Sequence, residues 1–87
     1  MGKDQRWQAI FEKVKGSLSD LLGIEADQIK PGSSFQDDLG ADSLDLAEIP
    51  LAIGKAFNTE VPDEDAIKIK NVSELVDYLY KKENHNK

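Results

Sequence analysis

The sequence predicts an all-α fold, a four-helix bundle of three longer helices and one short helix with a long loop between helices one and two. Apolar residues recur at three- and four-residue intervals along most of the chain, which is the helical period. No segment shows the two-residue alternation of a half-buried strand. The 87 residues suit one domain, so we expect residues 1–87 to form a single unit with a flexible tail at 83–87, where no apolar residue remains.

Helix one is predicted from about Asp4 to Leu22, because apolar residues form a single stripe along this segment. Gly23 follows the stripe and can adopt the left-handed conformation that ends many helices. The stripe consists of Trp7, Ile10, Phe11, Val14, Leu18, Leu21 and Leu22.

A long connection is predicted from Gly23 to Asp42, because the stretch Pro31-Gly32-Ser33-Ser34 is too irregular for a long helix. One helical turn at Asp27-Gln28-Ile29 is compatible with the sequence. We expect apolar residues of this loop to anchor it to the core, namely Ile24, Ile29, Phe35 and Leu39.

Helix two is predicted to begin at Ser43, with Asp42 as the residue that caps its first turn. Asn58 is the predicted stop. The apolar residues whose helical spacing marks this segment are Leu44, Leu46, Ile49, Ala52, Ile53, Ala56 and Phe57.

Two more helices follow in the last third of the chain. Helix three is short, from about Asp63 to Lys68, because Pro62 and three acidic residues are typical of a first helical turn. Helix four follows Asn71, whose distance from Glu74 in the sequence is that of a capping box. Its inward face is predicted to contain Leu75, Val76, Tyr78 and Leu79.

Charge and composition limit the classes of function. Seventeen acidic and eleven basic side chains give a net charge of −6, which would repel nucleic acid and favours a basic protein partner. The chain has no cysteine and therefore no disulfide, thiolate ligand or thiol nucleophile of its own. The first residues match no myristoylation signal and precede no apolar block, so we expect a cytoplasmic monomer without membrane insertion.

Ser43 does not have the surroundings of a hydrolase nucleophile. A nucleophile elbow needs glycines two residues before and two residues after the serine, where this chain has Ala41 and Asp45. The single histidine, His85, lies in the predicted tail, so no general base is expected near the serine. From the residues alone, a serine that merely occupies a helix start is the simplest interpretation.

An acidic run covers residues 31–54, which contain five acids and no Lys or Arg. It does not form a calcium loop, because the third positions counted from Asp38 and Asp42 hold Gly40 and Leu44, and we expect no metal site. A solvated helix face is the usual meaning of such a run. Here it surrounds a serine at a helix start, to which a basic enzyme could be steered. The five acids are Asp37, Asp38, Asp42, Asp45 and Glu48.

The segment DDLGADSLDLAEI resembles the prosthetic-group attachment motif of acyl carrier proteins, in which Asp-Ser-Leu follows Leu-Gly-Ala. The similarity continues through FNTEVPDEDAIKI to NVSELVDYL in the last helix. In that family the fold is a four-helix bundle, and a magnesium-dependent transferase esterifies the serine that matches Ser43 with 4′-phosphopantetheine from coenzyme A. The resemblance therefore implies a carrier of acyl groups, held as thioesters on the pantetheine thiol in the apolar space between helices.

The resemblance also implies the partners and the surface that they contact. The partners are a phosphopantetheinyl transferase (holo-carrier synthase), ketoacyl synthase and other acyl-processing enzymes with basic docking patches, and the carrier itself has no catalytic activity. The transferase would recognise Asp42 and Leu44. Successive enzymes would bind the helix through Asp45, Leu46, Ala47, Glu48 and Leu51.

Two alternatives remain beside this interpretation. Peptidyl carriers resemble the pattern Leu-Gly-Gly-His/Asp-Ser and D-alanyl carriers have another serine context, whereas the sequence GADSLD here is similar to the free-standing fatty-acid type. An unmodified acidic helical module that only docks onto a basic partner is an alternative of a different class.

Helix two departs from the family pattern, in which Val and then consecutive glutamates usually follow the motif. This chain has Pro50, Gly54, Lys55 and Ala56 there, which indicates a specialised carrier and a kink at the proline. We expect Gly54→Glu combined with Lys55→Glu to improve use by enzymes that require an acidic helix.

Overall fold

A computed structural model describes the backbone of residues 5–85 and the side chains of residues 5–82. Within that part of the chain the only extended pairing is one isolated bridge between Ser34 and Asn71, and a single 3₁₀ turn covers Ala26–Gln28. The all-α class, with three longer helices and one short helix, is therefore confirmed. The helices are α1 (Gln5–Leu22), α2 (Ser43–Phe57), α3 (Asp63–Ala66) and α4 (Val72–His85).

The core lies along α1, which packs against both α2 and α4. Val14 and Leu18 of α1, Ile53 of α2 and Val76 of α4 are completely buried. The Trp7 indole N–H donates to the Asp77 carboxylate at 2.7 Å, which adds a polar link between α1 and α4. The predicted apolar stripe of helix one is confirmed, with its last two leucines only half-buried. No helix within residues 5–85 is long and apolar enough to cross a membrane.

The long loop is anchored as expected and is also tied to the start of α4. Ile29, Phe35 and Leu39 are buried, and Ile24 is half-buried against the same core. The Val72 N–H donates to the Ser33 carbonyl at 3.0 Å, one of two backbone bonds between the loop and α4. These contacts therefore fix the position of the loop that leads into α2.

Two predicted helix ends shift by a few residues. α3 ends at Ala66 instead of near Lys68, because the next residues form tighter turns in which Lys68 and Ile69 donate to carbonyls three residues back. The α4 backbone continues to His85, where a loose tail was predicted from Glu83, since Lys and Glu favour helix and no Gly or Pro interrupts it. Asp4, Asn86 and Lys87 lie outside the described residues.

The cap of α4 differs from the predicted box in one bond. The Asn71 side-chain oxygen accepts from the Glu74 N–H at 2.9 Å, as expected. The Glu74 carboxylate, however, accepts from the N–H of Lys70 at 2.7 Å and not from that of Asn71. Two backbone donors at the helix start are satisfied in either arrangement.

The end of α2 confirms the predicted stop and corrects the expectation for Gly54. Asn58 has the left-handed conformation with φ 52°, and the Thr59 N–H donates to the Gly54 carbonyl at 2.9 Å. A Cβ at position 54 would lie 2.9 Å from the Thr59 carbonyl oxygen. Glutamate therefore does not fit at Gly54 without displacement of this backbone turn, and α2 itself continues through Pro50.

Candidate functional site

The chain reaches the start of α2 through a tight turn. Gly40 has φ 73°, a conformation that side chains other than glycine rarely adopt. Ala41 is buried, and its N–H donates to the Phe35 carbonyl at 2.8 Å. This anchor holds the residue before the helix against the core, so the next residues emerge at the surface.

Asp42 caps α2 as predicted. Its carboxylate accepts the Asp45 N–H at 2.9 Å, and the Asp45 carboxylate accepts the Asp42 N–H at 3.3 Å. This reciprocal pair satisfies two of the donors that a helix start leaves unpaired. Asp45, which the resemblance placed on the partner-facing surface, thus also stabilises the helix start.

Ser43 is the first residue of α2 and is exposed. Because Asp42 provides the cap, the Ser43 hydroxyl is not needed for it. Among the residues that the structure describes, this hydroxyl has no hydrogen-bond partner. It is therefore accessible to a modifying enzyme without the loss of any internal contact.

Large apolar side chains are exposed on α2 and at the end of α3. Leu44 is 67% exposed, Leu51 71% and Ile67 70%, which are high values for such residues. Ala47 and Glu48 are exposed between the two leucines. Most of the residues that the resemblance assigned to partner recognition therefore lie on one accessible surface of α2.

Four of the five acidic residues predicted near the serine are exposed. Asp37, Asp38, Asp42 and Glu48 are exposed, and Asp38 accepts the Ser34 N–H at 2.7 Å inside the loop. Among the described residues, no three His, Cys, Asp or Glu side chains are arranged to hold a metal ion. The run is a negative surface next to Ser43.

An apolar cleft of about 550 Å³ begins within one turn of Ser43. Leu46, Ile49 and Pro50 of α2 form one wall, so Leu46 lies in the cleft lining and not among the fully exposed residues of α2. The polar residues of the lining, Gln36, Asp63 and Lys70, are exposed and belong to other segments. The remaining lining residues are Phe35, Ala47, Val61, Ala66, Ile67, Ile69 and Leu75.

Part of this cleft was missed by sequence reasoning. Val61, Ala66, Ile67 and Ile69 contribute to its lining, although no role was predicted for them. They lie at irregular intervals around a helix of four residues, so a search for helical stripes does not find them. The available signal was the number of apolar residues in a segment too short to bury them on a helix face.

A partly buried hydrogen bond holds α3 beside the cleft. The Tyr78 hydroxyl of α4 donates to the Asp65 carboxylate at 2.7 Å. Burial, together with the hydrogen bond to Asp65 and its negative charge, raises the pKa of Tyr78 to about 12 from 10.0. Because α3 has only four residues, this contact is an important constraint on its position.

The raised pKa of Tyr78 predicts a loss of stability at alkaline pH. Below pH 10.0 the phenol is protonated in both states, whereas between pH 10.0 and about 12 only the native state keeps the proton. The free energy of unfolding should therefore decrease as the pH rises through this range, with its full contribution present below it. Urea unfolding of the parent and of Tyr78→Phe measures this, and the Phe variant should show a smaller decrease. Equal decreases in both proteins would contradict the assignment.

Comparisons with known proteins agree with this geometry. A family model described as a phosphopantetheine attachment site matches residues 12–79. An acyl carrier protein of Clostridium acetobutylicum is 51% identical over 70 residues, which cover 80% of this chain and 91% of that protein. An acyl carrier protein of Bdellovibrio bacteriovorus is 49% identical over 74 residues, which cover 85% of this chain and 95% of that protein. The chain therefore belongs to the acyl carrier protein family and carries acyl groups on a covalently attached 4′-phosphopantetheine.

Proposed function

We propose that Ser43 is the residue that bears the 4′-phosphopantetheine. The observation that carries this proposal is the exposed hydroxyl at the first residue of α2, which makes no internal hydrogen bond and lies beside the apolar cleft. Asp42 fixes the helix start, so the position of the hydroxyl is well defined. The acidic surface contributes negative charge, and no metal-binding cluster is present among the side chains of residues 5–82.

The residues around Ser43 suit an acyl carrier without catalytic activity of its own. The bound group supplies the thiol that a chain without cysteine lacks. The apolar side chains of the cleft, such as Ile49 and Val61, would remove an acyl chain from water, at about 25 cal/mol for each Å² of apolar surface buried. The single histidine, His85, lies near the C-terminal end of the sequence, which does not favour a serine–histidine catalytic pair at Ser43.

The exposed face of α2 is the proposed docking surface for a phosphopantetheinyl transferase, ketoacyl synthase and other acyl-processing enzymes. Leu44 and Leu51 offer apolar area to bury, and Asp42 and Glu48 offer negative charge. Charge complementarity with basic patches on these enzymes would increase the association rate. We place these encounters of a monomeric carrier in the cytoplasm.

Transfer of the group by a phosphopantetheinyl transferase tests this proposal. The parent incubated with coenzyme A, magnesium and the enzyme should gain the mass of one phosphopantetheine. Glu48→Lys should lower kcat/KM about tenfold at low salt, because it places positive charge on the proposed docking surface. Glu12→Lys is the matched control, since Glu12 is exposed on α1 and the net charge changes equally.

Two outcomes would contradict the proposal in different ways. A parent that gains no mass would favour the unmodified docking module. Equal effects of the two lysine substitutions would show that net charge matters and that the α2 surface does not.

The type of carrier is proposed from the motif around Ser43 and from the residues of α2 that depart from the family pattern. The GADSLD motif supports the free-standing fatty-acid type over peptidyl or D-alanyl carriers. Lys55, exposed near the end of α2, and Pro50 in its interior support a specialised role.

A further inference from the structure

Pro50 changes the hydrogen bonding inside α2. In an α-helix the N–H of each interior residue donates to the carbonyl four residues earlier. Pro50 lies within the helix Ser43–Phe57 and has no N–H, so the Leu46 carbonyl lacks the partner that this rule would give it. An acceptor without a partner in a partly buried position is unfavourable unless another donor reaches it.

The Leu46 carbonyl lies on the strip of α2 that faces the cleft. A helical carbonyl points along the axis toward the residue four positions later, on the same side of the helix. Leu46 and Pro50 both line the cleft and are both half-buried, and Ile49 lines it between them. This acceptor, which lacks its usual helical donor, therefore lies along the cleft wall, about one turn from Ser43.

The chemistry of the cleft limits what can satisfy this acceptor. The side chains of its α2 wall are apolar, while the polar lining residues belong to other segments and are exposed. A saturated acyl chain has no hydrogen-bond donor, and a thioester or ketone oxygen is an acceptor only. A hydroxyl group on the acyl chain is a donor small enough to lie against the apolar wall.

We propose that the Leu46 carbonyl accepts a hydrogen bond from a hydroxyl on the acyl chain, so that this carrier holds hydroxylated chains more firmly than saturated chains of equal length. This inference rests on the proposed attachment at Ser43. It assigns a specific consequence to Pro50. A proline at this position removes a donor from the helix and leaves the Leu46 carbonyl available as an acceptor in the cleft.

The test compares octanoyl chains that differ only in a hydroxyl. A transferase would load the parent from coenzyme A, octanoyl coenzyme A or its isomers hydroxylated at the third, fifth or seventh carbon. With at least one isomer, the ¹³C resonance of the Leu46 carbonyl, detected through the Ala47 amide, should move downfield relative to the octanoyl form. The melting temperature should rise by about 4–8 °C relative to the octanoyl form, as expected for one added hydrogen bond.

Pro50→Ala supplies the decisive variant, because alanine restores the N–H that pairs with the Leu46 carbonyl and favours helix. In this variant the advantage of the hydroxylated chains should disappear. Pro31→Ala is the matched control, since it makes the same substitution at an exposed loop proline outside this cleft and position 50 keeps its proline. The control should retain the advantage.

Three results would overturn the inference alone. The first is an equal melting temperature for all loaded forms, and the second is a higher melting temperature with hydroxylated chains that persists in Pro50→Ala. The third is a full downfield shift of the Leu46 carbonyl with phosphopantetheine that carries no acyl chain, which would assign the donor to an amide of the prosthetic group. A chain that does not load at Ser43 would instead contradict the proposed function, and this inference with it.

Discussion

Replacing Ser43 with alanine is expected to abolish attachment of phosphopantetheine while the bundle remains folded. The Ser43 hydroxyl makes no hydrogen bond with the described residues, and Asp42 provides the cap of α2. Exposed substitutions of this kind change the free energy of unfolding by about 0.5 kcal/mol or less. Intact mass after incubation with coenzyme A and a transferase measures loading, and circular dichroism with urea measures the fold.

Ser73→Ala is the matched control for this prediction. Ser73 also lies in the first turn of a helix, α4, but it is half-buried and lacks the neighbouring cleft. The control should load like the parent. Attachment of phosphopantetheine to Ser43→Ala would show that Ser43 is not the attachment site. An unfolded Ser43→Ala variant would show that the hydroxyl has a structural role absent from the observed contacts.

Alanine should have opposite effects at two glycines that both lie within helices. At Gly54 a Cβ would lie 2.9 Å from the Thr59 carbonyl oxygen, so the backbone turn after α2 must move. Such overpacking costs about 1–3 kcal/mol and exceeds the gain of about 0.5–1 kcal/mol from replacing a helical glycine. At Gly16 the added Cβ would meet no atom within 4 Å beyond its own helix backbone and chain neighbours, so only the stabilising effect of alanine in a helix remains.

Thermal unfolding of both alanine variants distinguishes these effects. For a domain of this size, 1 kcal/mol corresponds to about 4–8 °C in Tm. Gly16→Ala should therefore raise Tm by several degrees, whereas Gly54→Ala should lower it. A rise in both variants would mean that the turn at Thr59 moves without cost, and glutamate at position 54 would then be acceptable after all.

Local sequence signals were sufficient to predict the helices and the exposed position of Ser43 at the start of α2. The stripe from Trp7 to Leu22 could be predicted because residues three and four apart share one helix face. The ends at Gly23 and Asn58 could be predicted because both residues tolerate the left-handed conformation, which the structure shows at both positions. The Asp42 cap required only the neighbouring residues, so the exposure of Ser43 followed from it.

Features that depend on contacts between distant segments could not be predicted in the same way. The cleft joins α2 with Val61 and Ile69, and its shape follows from the packing of a very short helix. The bond between Tyr78 and Asp65 and the placement of Leu46 in the cleft lining depend on the same packing. The close approach of Thr59 to Gly54 is visible only once the turn after α2 has three-dimensional coordinates.

The most direct test of the central claim is fragmentation mass spectrometry of the protein isolated from its native cell. We expect one phosphopantetheine, located on Ser43, with any acyl group attached through its thiol. The same spectrum would identify the acyl group and show whether it carries a hydroxyl. Attachment to any other residue, or a protein that is unmodified throughout, would rule out Ser43 as the attachment site.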